Sequence, residues 1–165
     1  MASIATSSYL PPLELPHERQ GIGRELEVVL QELVGLSLVG KQLHWALFGP
    51  LSRPLHLYLD ELVGSWRELA DTVAERAVAL GFVPDGQAQA VAAGSQLTPV
   101  AKTAIEDHAV VRELTRRVAD LSERVRARIQ HVGEVDLVSQ HVLIEVVREL
   151  EKQQWLLRIQ LEERA

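Results

Sequence analysis

The 165-residue chain contains no cysteine and a single methionine, Met1. The absence of cysteine excludes disulfides, thiolate catalysis and cysteine-based metal sites. Aromatic residues make up only 4% of the chain, whereas hydrophobic residues make up 47%, so the core must consist mostly of Leu, Val, Ala and Ile. Charged residues account for 24%, a composition typical of one globular domain and not of a disordered chain.

Long apolar runs and basic clusters are also missing. No apolar run approaches the roughly 18–20 residues of a membrane helix. The N-terminal segment lacks the basic and then apolar pattern of a secretory signal. We therefore expect a cytoplasmic protein without membrane contacts. The net charge of −6 argues against a general attraction to nucleic acid or to anionic lipids.

Helical periodicity begins at about Glu18, where apolar residues start to recur at three- and four-residue steps. The first predicted helix ends at the Phe-Gly-Pro stretch 48–50. A second helix is predicted from Ser52 to Leu80, with Gly81 as its C-cap. Residues 1–17 lack helical period and are predicted to form a flexible tail ahead of a domain over residues 18–165.

A long connection, residues 81–97, follows the second helix, and its "QAQAVAA" stretch predicts a short helix. A third long helix is predicted to begin at Thr98-Pro99 and to end at about Gln130. Gly133 is expected to break the chain there, and Asp136 is expected to cap a fourth helix.

The predicted fold is all-α, because no segment alternates with period two and no sheet is expected. Each of the four long helices has roughly 25–30 residues and extends about 40 Å. Two short links and one long crossover between helices two and three match the connectivity of a ferritin-like four-helix bundle, whose core can hold metals.

The second helix carries two pairs of metal-ligating side chains. His56 and Asp60 are one turn apart, and so are Asp71 and Glu75. Eleven residues bring the helix back to nearly the same direction, so both pairs lie on one stripe. Asp60 and Asp71 are nevertheless separated by about 16 Å along the helix axis. One ion cannot bind both pairs, because metal–ligand bonds are about 2 Å long.

A two-fold axis would resolve this conflict. His56 and Glu75 lie equally far from the helix midpoint near Ser65, and so do Asp60 and Asp71. Two antiparallel copies of the helix would place His56 against the partner's Glu75 and Asp60 against the partner's Asp71. Each dimer would then carry two equivalent centres.

His44, near the end of the first helix, would add a second imidazole to each centre. Two imidazoles and three carboxylates suit iron or zinc, and not calcium or magnesium, which prefer oxygen ligands. Bridging carboxylates favour a redox iron site, while a structural zinc site in a helical bundle stays an open alternative. Taken singly, each pair is more often a solvated helix face, and Trp45 and Trp66 are more often packing residues. Four further histidines are predicted at the surface: His17, His108, His131 and His141.

Three stretches resemble the DNA-protection-during-starvation (Dps) family of mini-ferritins. They are "KQLHW" at 41–45, the "H…LD" pattern ending at Asp60, and "DTVAERAVALG" at 71–81, and the resemblance extends over residues 20–160. It implies a four-helix bundle, a hollow shell of twelve subunits, and a mono- or di-iron centre shared between two subunits. One subunit would supply three ligands and its partner two; the five ligand positions are His44, His56, Asp60, Asp71 and Glu75.

The resemblance also implies an activity. Members oxidise Fe(II), typically with hydrogen peroxide, and store ferric iron inside the shell, which serves iron homeostasis and protection from oxidative stress. Trp45 matches a tryptophan beside the family's ferroxidase centre, where it has an auxiliary redox or packing role. Iron, hydrogen peroxide and further copies of the same chain are therefore the expected partners.

Two departures from the family pattern stand out. Many relatives bind DNA through basic tails, but the segment to Gln20 contains no lysine and only Arg19, and the chain ends in "LEERA". We therefore expect weak DNA binding or none; a DNA-protecting nucleoid protein with a vestigial metal site is the alternative. The second departure concerns the iron-entry pore near the start of the fourth helix, where His141 replaces an expected aspartate. The candidate pore residues are Glu134, Asp136, His141 and Glu145.

Overall fold

The computed structural model describes residues 17–162, and it contains four long helices, one short helix and two very short strands. In chain order the elements are α1 His17–Ala46, β1 Leu47–Phe48, α2 Ser52–Ala79, α3 Ala88–Gly94, β2 Ile105–Glu106, α4 Asp107–Val135 and α5 Leu137–Glu162. The predicted tail, except for His17 in α1, lies outside the described residues, and the domain boundary stays a prediction. Within residues 17–162, no helix is long and apolar enough to cross a membrane.

The four long helices form the predicted bundle. α1 packs mainly against α2, and α4 packs mainly against α5, while α1–α4 and α2–α5 contacts close the bundle. Its core is rich in leucine and valine, and Trp66 is the largest fully buried side chain. The predicted short helix is present as α3 within the crossover from α2 to α4. The all-α, ferritin-like fold class is therefore confirmed.

The end of α2 follows its sequence signals. Gly81 has φ +89°, a conformation that favours glycine. Its N–H donates to the carbonyl of Val78 at 2.8 Å, and the N–H of Phe82 donates to that of Ala77 at 3.0 Å. These two bonds satisfy carbonyls that the helix leaves free, as in a Schellman motif.

The predicted start of the third long helix is wrong. α4 begins at Asp107 and not at Thr98-Pro99. The guanidinium of Arg117 donates to the carbonyl of Thr98 at 2.7 Å, which fixes this segment outside the helix and against its flank. The local capping signature at 98–99 is thus overridden by a tertiary contact.

The expectation of no sheet is also wrong, although the exception is small. β1 pairs with β2 in parallel, with Leu47 opposite Ile105. The chain then turns at Gly49, where φ is +126° and an added Cβ would lie 2.4 Å from the Asp107 carboxylate. That carboxylate also accepts the N–H of Leu51 at 2.7 Å. The strands therefore hold the α1–α2 link against the start of α4.

The corner between α4 and α5 confirms one prediction and corrects another. Asp136 caps α5, since its carboxylate accepts the N–H of Ser139 at 3.0 Å. Gly133, however, lies inside α4, which continues to Val135. An added Cβ at Gly133 would lie 2.0 Å from the amide nitrogen of Gln140, so close packing of the two helices explains this glycine better than helix termination.

Candidate metal centre

His44 lies in the last turn of α1 and is only 7% exposed. Its Nδ1 is 3.2 Å from the carbonyl oxygen of His56, the geometry of a hydrogen bond in which Nδ1–H donates. That bond leaves Nε2 as the lone-pair nitrogen, the form in which imidazole binds metals. Burial lowers the pKa of His44, which favours the same neutral form.

His56 and Asp60 approach His44 from the first half of α2. The two imidazole centroids are 3.4 Å apart with a tilt of 30°. The Asp60 Oδ1 atom lies 3.4 Å from His44 Nδ1, and the Asp60 side chain is 51% exposed. Two imidazoles and a carboxylate therefore converge at the surface where α1 meets α2, and their role as metal ligands stays a prediction.

Lys41 was not among the predicted site residues, but it contacts Asp60. Its Nζ donates to Asp60 Oδ1 at 2.7 Å. It also lies 5.9 Å from the ring centroid of Trp45, which is one turn further along α1. The hydrogen bond from Lys41 is the largest cause of the lowered pKa of Asp60, so this carboxylate is ionised at neutral pH. "KQLHW" contains the lysine, yet its spacing from Asp60 gives no signal, because the contact joins two helices.

Within one chain, Asp71 and Glu75 lie far from His44, His56 and Asp60. Both are exposed on the second half of α2. The helix rise puts Asp71 about 16 Å beyond Asp60 along the axis. Gly64 lies between them on the same stripe, and an added Cβ there would meet nothing within 4 Å. One chain therefore presents three converging candidate ligands and, separately, a solvent-facing carboxylate pair.

Trp45 is an exposed aromatic side chain near the end of α1. It is 70% exposed, and four other large hydrophobic side chains of α1, α2 and the strand between them are each more than half exposed. Those four are Leu38, Phe48, Leu57 and Val78. Trp66, by contrast, is buried and donates its Nε1–H to Gln153 at 2.7 Å, a packing role.

Asp136, one of the four candidate pore residues, is already paired. Arg76 donates to its carboxylate at 2.6 Å, and Ser139 also donates to it. Although burial opposes the change, the hydrogen bonds from Ser139 and Arg76 lower the pKa of Asp136 to about 2. This carboxylate therefore acts as a helix cap and ties α2 to α5.

The other three pore candidates are described by their exposure and their ion-pair contacts. Glu134 and His141 are exposed. The imidazole Nε2 of His141 is 4.0 Å from Glu145, which is also 3.0 Å from a guanidinium nitrogen of Arg148. Whether these side chains line a pore depends on neighbouring subunits, so the pore stays a prediction. Of the other predicted surface histidines, His17 and His131 are exposed and His108 is half-buried.

A second cluster, Glu106, Asp107 and His108, was not predicted from the sequence. One potential ligand atom from each lies within 4.8 Å of the others. Asp107, however, is 1% exposed, and its carboxylate accepts the N–H groups of Leu51 and His108 at 2.7 and 2.8 Å. These two hydrogen bonds satisfy the buried carboxylate, so Asp107 serves as a structural clamp at the start of α4.

Comparison with known proteins agrees with the fold. A family model described as a ferritin-like domain matches residues 24–165. The DNA protection during starvation protein 2 of Deinococcus radiodurans is 33% identical over 81% of this chain, which spans 55% of that relative's length. The DNA protection during starvation protein of Mycolicibacterium smegmatis is 34% identical over 77% of this chain and 69% of its own length.

A solved structure supports the same assignment. The crystal structure of Dps92 from Deinococcus radiodurans superposes with a TM-score of 0.85 at 31% identity, covering 89% of each chain. The bundle and the matched family model define this protein as ferritin-like. Within that class, the chain belongs to the Dps family of mini-ferritins, as its sequence motifs predicted.

Proposed function

We propose that this protein oxidises Fe(II) at centres shared between two subunits and stores the ferric product inside a homo-oligomeric shell. The observation that carries the proposal is the convergence of His44, His56 and Asp60 at the open α1–α2 surface. The mixture of imidazole and carboxylate suits Fe(II), and further carboxylates would stabilise Fe(III). Asp71 and Glu75 of the partner subunit would supply those carboxylates.

The surface at the middle of α2 supports a two-fold axis there. Gly64 lies on the ligand stripe, close to the proposed axis, and open space surrounds it. Glycine there lets two helices approach closely. The exposed side chain of Trp45 would be covered by the same contact. Family membership further supports assembly of such dimers into a dodecamer.

Hydrogen peroxide is the proposed oxidant. Two Fe(II) ions each lose one electron, and one H2O2 takes up both electrons and two protons to become two water molecules. This two-electron reduction avoids release of hydroxyl radical. Nε2 of His44 and the Asp60 carboxylate would bind and orient iron, while the hydrogen bond between Nδ1 and the His56 carbonyl fixes the ring of His44. Trp45 would pack beside the centre and act as an auxiliary redox residue.

The names of the curated relatives favour a second candidate, a cytoplasmic DNA-protecting protein with a vestigial metal site. The net charge of −6 per chain opposes it, because a shell of many copies would repel phosphate. A gel shift at low salt distinguishes the two functions. A clear shift that disappears at high salt would favour DNA protection.

The direct test uses a His56→Ala, Asp60→Ala double variant. Anaerobic loading with Fe(II) followed by peroxide should give rapid ferric absorbance with the wild type and a much slower rise with the variant. Equal rates would refute the site. A matched double variant on another exposed helix face, Glu123→Ala with Gln130→Ala, should keep the wild-type rate. Metal analysis of the purified protein would reveal a structural zinc site instead.

A further inference from the structure

Asp107 places a buried carboxylate between the start of α2 and the start of α4. It is the first residue of α4 and is 1% exposed. One carboxylate oxygen accepts the N–H of Leu51, which immediately precedes α2, and the other accepts the N–H of His108. Within the described residues its one ion-pair contact is with His108, whose Nε2 is 4.0 Å away. The negative charge is therefore held mainly by two helix N-termini, where backbone N–H groups carry partial positive charge.

The start of α2 depends on this carboxylate, because α2 has no side-chain cap of its own. Its N-cap residue, Leu51, carries an aliphatic side chain that cannot accept a hydrogen bond from the helix. Asp107 accepts the N–H of that residue at 2.7 Å, the role that the glutamate of a capping box has within a helix. A residue 56 positions further along the chain therefore fixes where α2 begins.

Gly49 lets the carboxylate approach the α1–α2 link closely. An added Cβ there would lie 2.4 Å from Oδ2 of Asp107, so only glycine leaves that contact undisturbed. The pairing of β1 with β2, in which Leu47 lies opposite Ile105, adds a second attachment between the same two segments. The link, residues 47–51, is thus held at both ends against the start of α4.

This link joins the two imidazoles of the candidate metal centre. His44 lies three residues before it, and His56 lies five residues after it. The ring centroids are 3.4 Å apart, and His44 Nδ1 is 3.2 Å from the His56 carbonyl oxygen. Both distances depend on how the beginning of α2 lies against the last turn of α1. A functional centre tolerates only about 0.5 Å of displacement of its ligands, so a shift of the link would disturb it directly.

We propose that Asp107 is a positioning residue for the metal centre, which sets the separation of His44 and His56 by fixing the α1–α2 link to α4. The inference rests on the proposed function in that both histidines must be metal ligands. Asp107 is not a ligand in this role, since it acts through the backbone of the link. Gly49 and Leu51 lie outside the buried hydrophobic core. Loosening the link therefore leaves the bundle packed but changes the distance between the imidazoles.

The test measures binding of Co²⁺ to the assembled protein by titration of its visible absorption, which reports ligand geometry. Co²⁺ is a divalent stand-in for Fe²⁺ with similar ligand preferences. Asp107→Asn preserves the size of the side chain but leaves one acceptor oxygen for two N–H groups. We expect this variant to bind Co²⁺ about tenfold more weakly, the lower end of the range for changes beyond the direct ligands. Its Co²⁺ spectrum should also differ from that of the wild type.

Gly49→Ala pushes the link away from the same carboxylate and should weaken Co²⁺ binding to a similar extent. The double variant should bind no more weakly than the single variants, because both changes break one contact. The two changes lie in different elements, so either variant alone decides the outcome if the other does not assemble.

Arg124→Met is the matched control, because it also removes a charged contact of α4. Its partner, Glu32, lies more than three turns before His44 on α1. Arg124→Met should therefore unfold at a lower urea concentration but keep the Co²⁺ affinity and spectrum of the wild type. If it changes the spectrum as much as Asp107→Asn does, Asp107 acts only through general stability, and the positioning role is refuted.

His56→Ala separates this inference from the site on which it rests. It should bind Co²⁺ more weakly than the wild type. If His56→Ala is weakened while Asp107→Asn and Gly49→Ala bind like the wild type, the positioning role is refuted and the site stands. If His56→Ala binds like the wild type, the proposed site itself fails, and this inference fails with it.

Discussion

Two inactive variants should restore activity to each other when their subunits mix. The first variant, His56→Ala with Asp60→Ala, lacks the imidazole–carboxylate half of each centre. The second, Asp71→Ala with Glu75→Ala, lacks the other half. In a mixed dimer one centre combines both defective halves, whereas the other combines both intact halves. Isologous symmetry makes this outcome unavoidable if each centre is shared between two chains.

The geometry also fixes the magnitude. Random pairing makes about half of the dimers mixed, and one of the two centres in each mixed dimer is intact, so about a quarter of all centres recover. The two variants should be unfolded together, refolded in equal amounts, and assayed anaerobically with Fe(II) and then peroxide. The initial rise in ferric absorbance should reach about a quarter of the wild-type rate. Each variant refolded alone serves as the control.

The opposite result is equally informative. If all five ligands acted within one chain, neither variant would contain a complete set, and the mixture would remain as inactive as its parents. A refolded mixture of the correct size that stays inactive would therefore refute the shared centre. Recovery that approaches the full wild-type rate would also contradict it, because three quarters of the centres should stay broken.

Three further changes test packing and assembly. Arg124 holds the carboxylate of Glu32, which is 3% exposed, with two bonds of 2.8 and 2.9 Å. Arg124→Met should destabilise the fold by about 3 kcal/mol in urea unfolding and more than Glu32→Gln does, because only the first change leaves a buried charge unpaired. Gly64→Trp should leave helicity unchanged by circular dichroism but prevent dimer formation in size-exclusion chromatography; a normal assembly would contradict the proposed axis. Asp136→Asn should cost about 2 kcal/mol at pH 7. The pKa of Asp136 in the folded protein is lowered to about 2 from its usual value near 3.8. The carboxylate therefore stabilises the fold above pH 3.8, and this stabilisation disappears as the pH falls towards 2. A variant whose deficit did not shrink on acidification would contradict the cap.

Local sequence signals predicted most of the fold. Apolar periodicity located the four long helices, and Gly81 and Asp136 marked two helix ends, because caps depend on the residues beside them. The start of α4 could not be predicted in this way. Thr98 has the local features of a cap, but Arg117, 19 residues further on, takes its carbonyl. The strand pair is two residues long on each side, too short to produce any periodic signal.

The candidate site, too, could be predicted from the sequence only in part. The spacing of His56, Asp60, Asp71 and Glu75 is a property of one helix, so helical geometry alone placed them on one stripe. The bond between Lys41 and Asp60 depends on how far α1 is shifted along α2, and no spacing within either helix determines that shift. The clamp at Asp107 likewise depends on the contact between the α1–α2 link and α4. The sequence therefore predicted the helices and the spacing within them, but not the contacts between separate elements.

The length of α2 finally determines where the proposed chemistry can occur. α2 is one continuous helix from Ser52 to Ala79, and its buried face includes Trp66, so it cannot fold back to join its two ligand pairs. On the proposed arrangement an isolated subunit therefore holds two half-centres and cannot oxidise iron efficiently. Activity would appear only on dimer formation. Ferric iron, which is poorly soluble, would then be produced only in the assembly that can store it, and a subunit unable to dimerise would lack ferroxidase activity even with all five ligands intact.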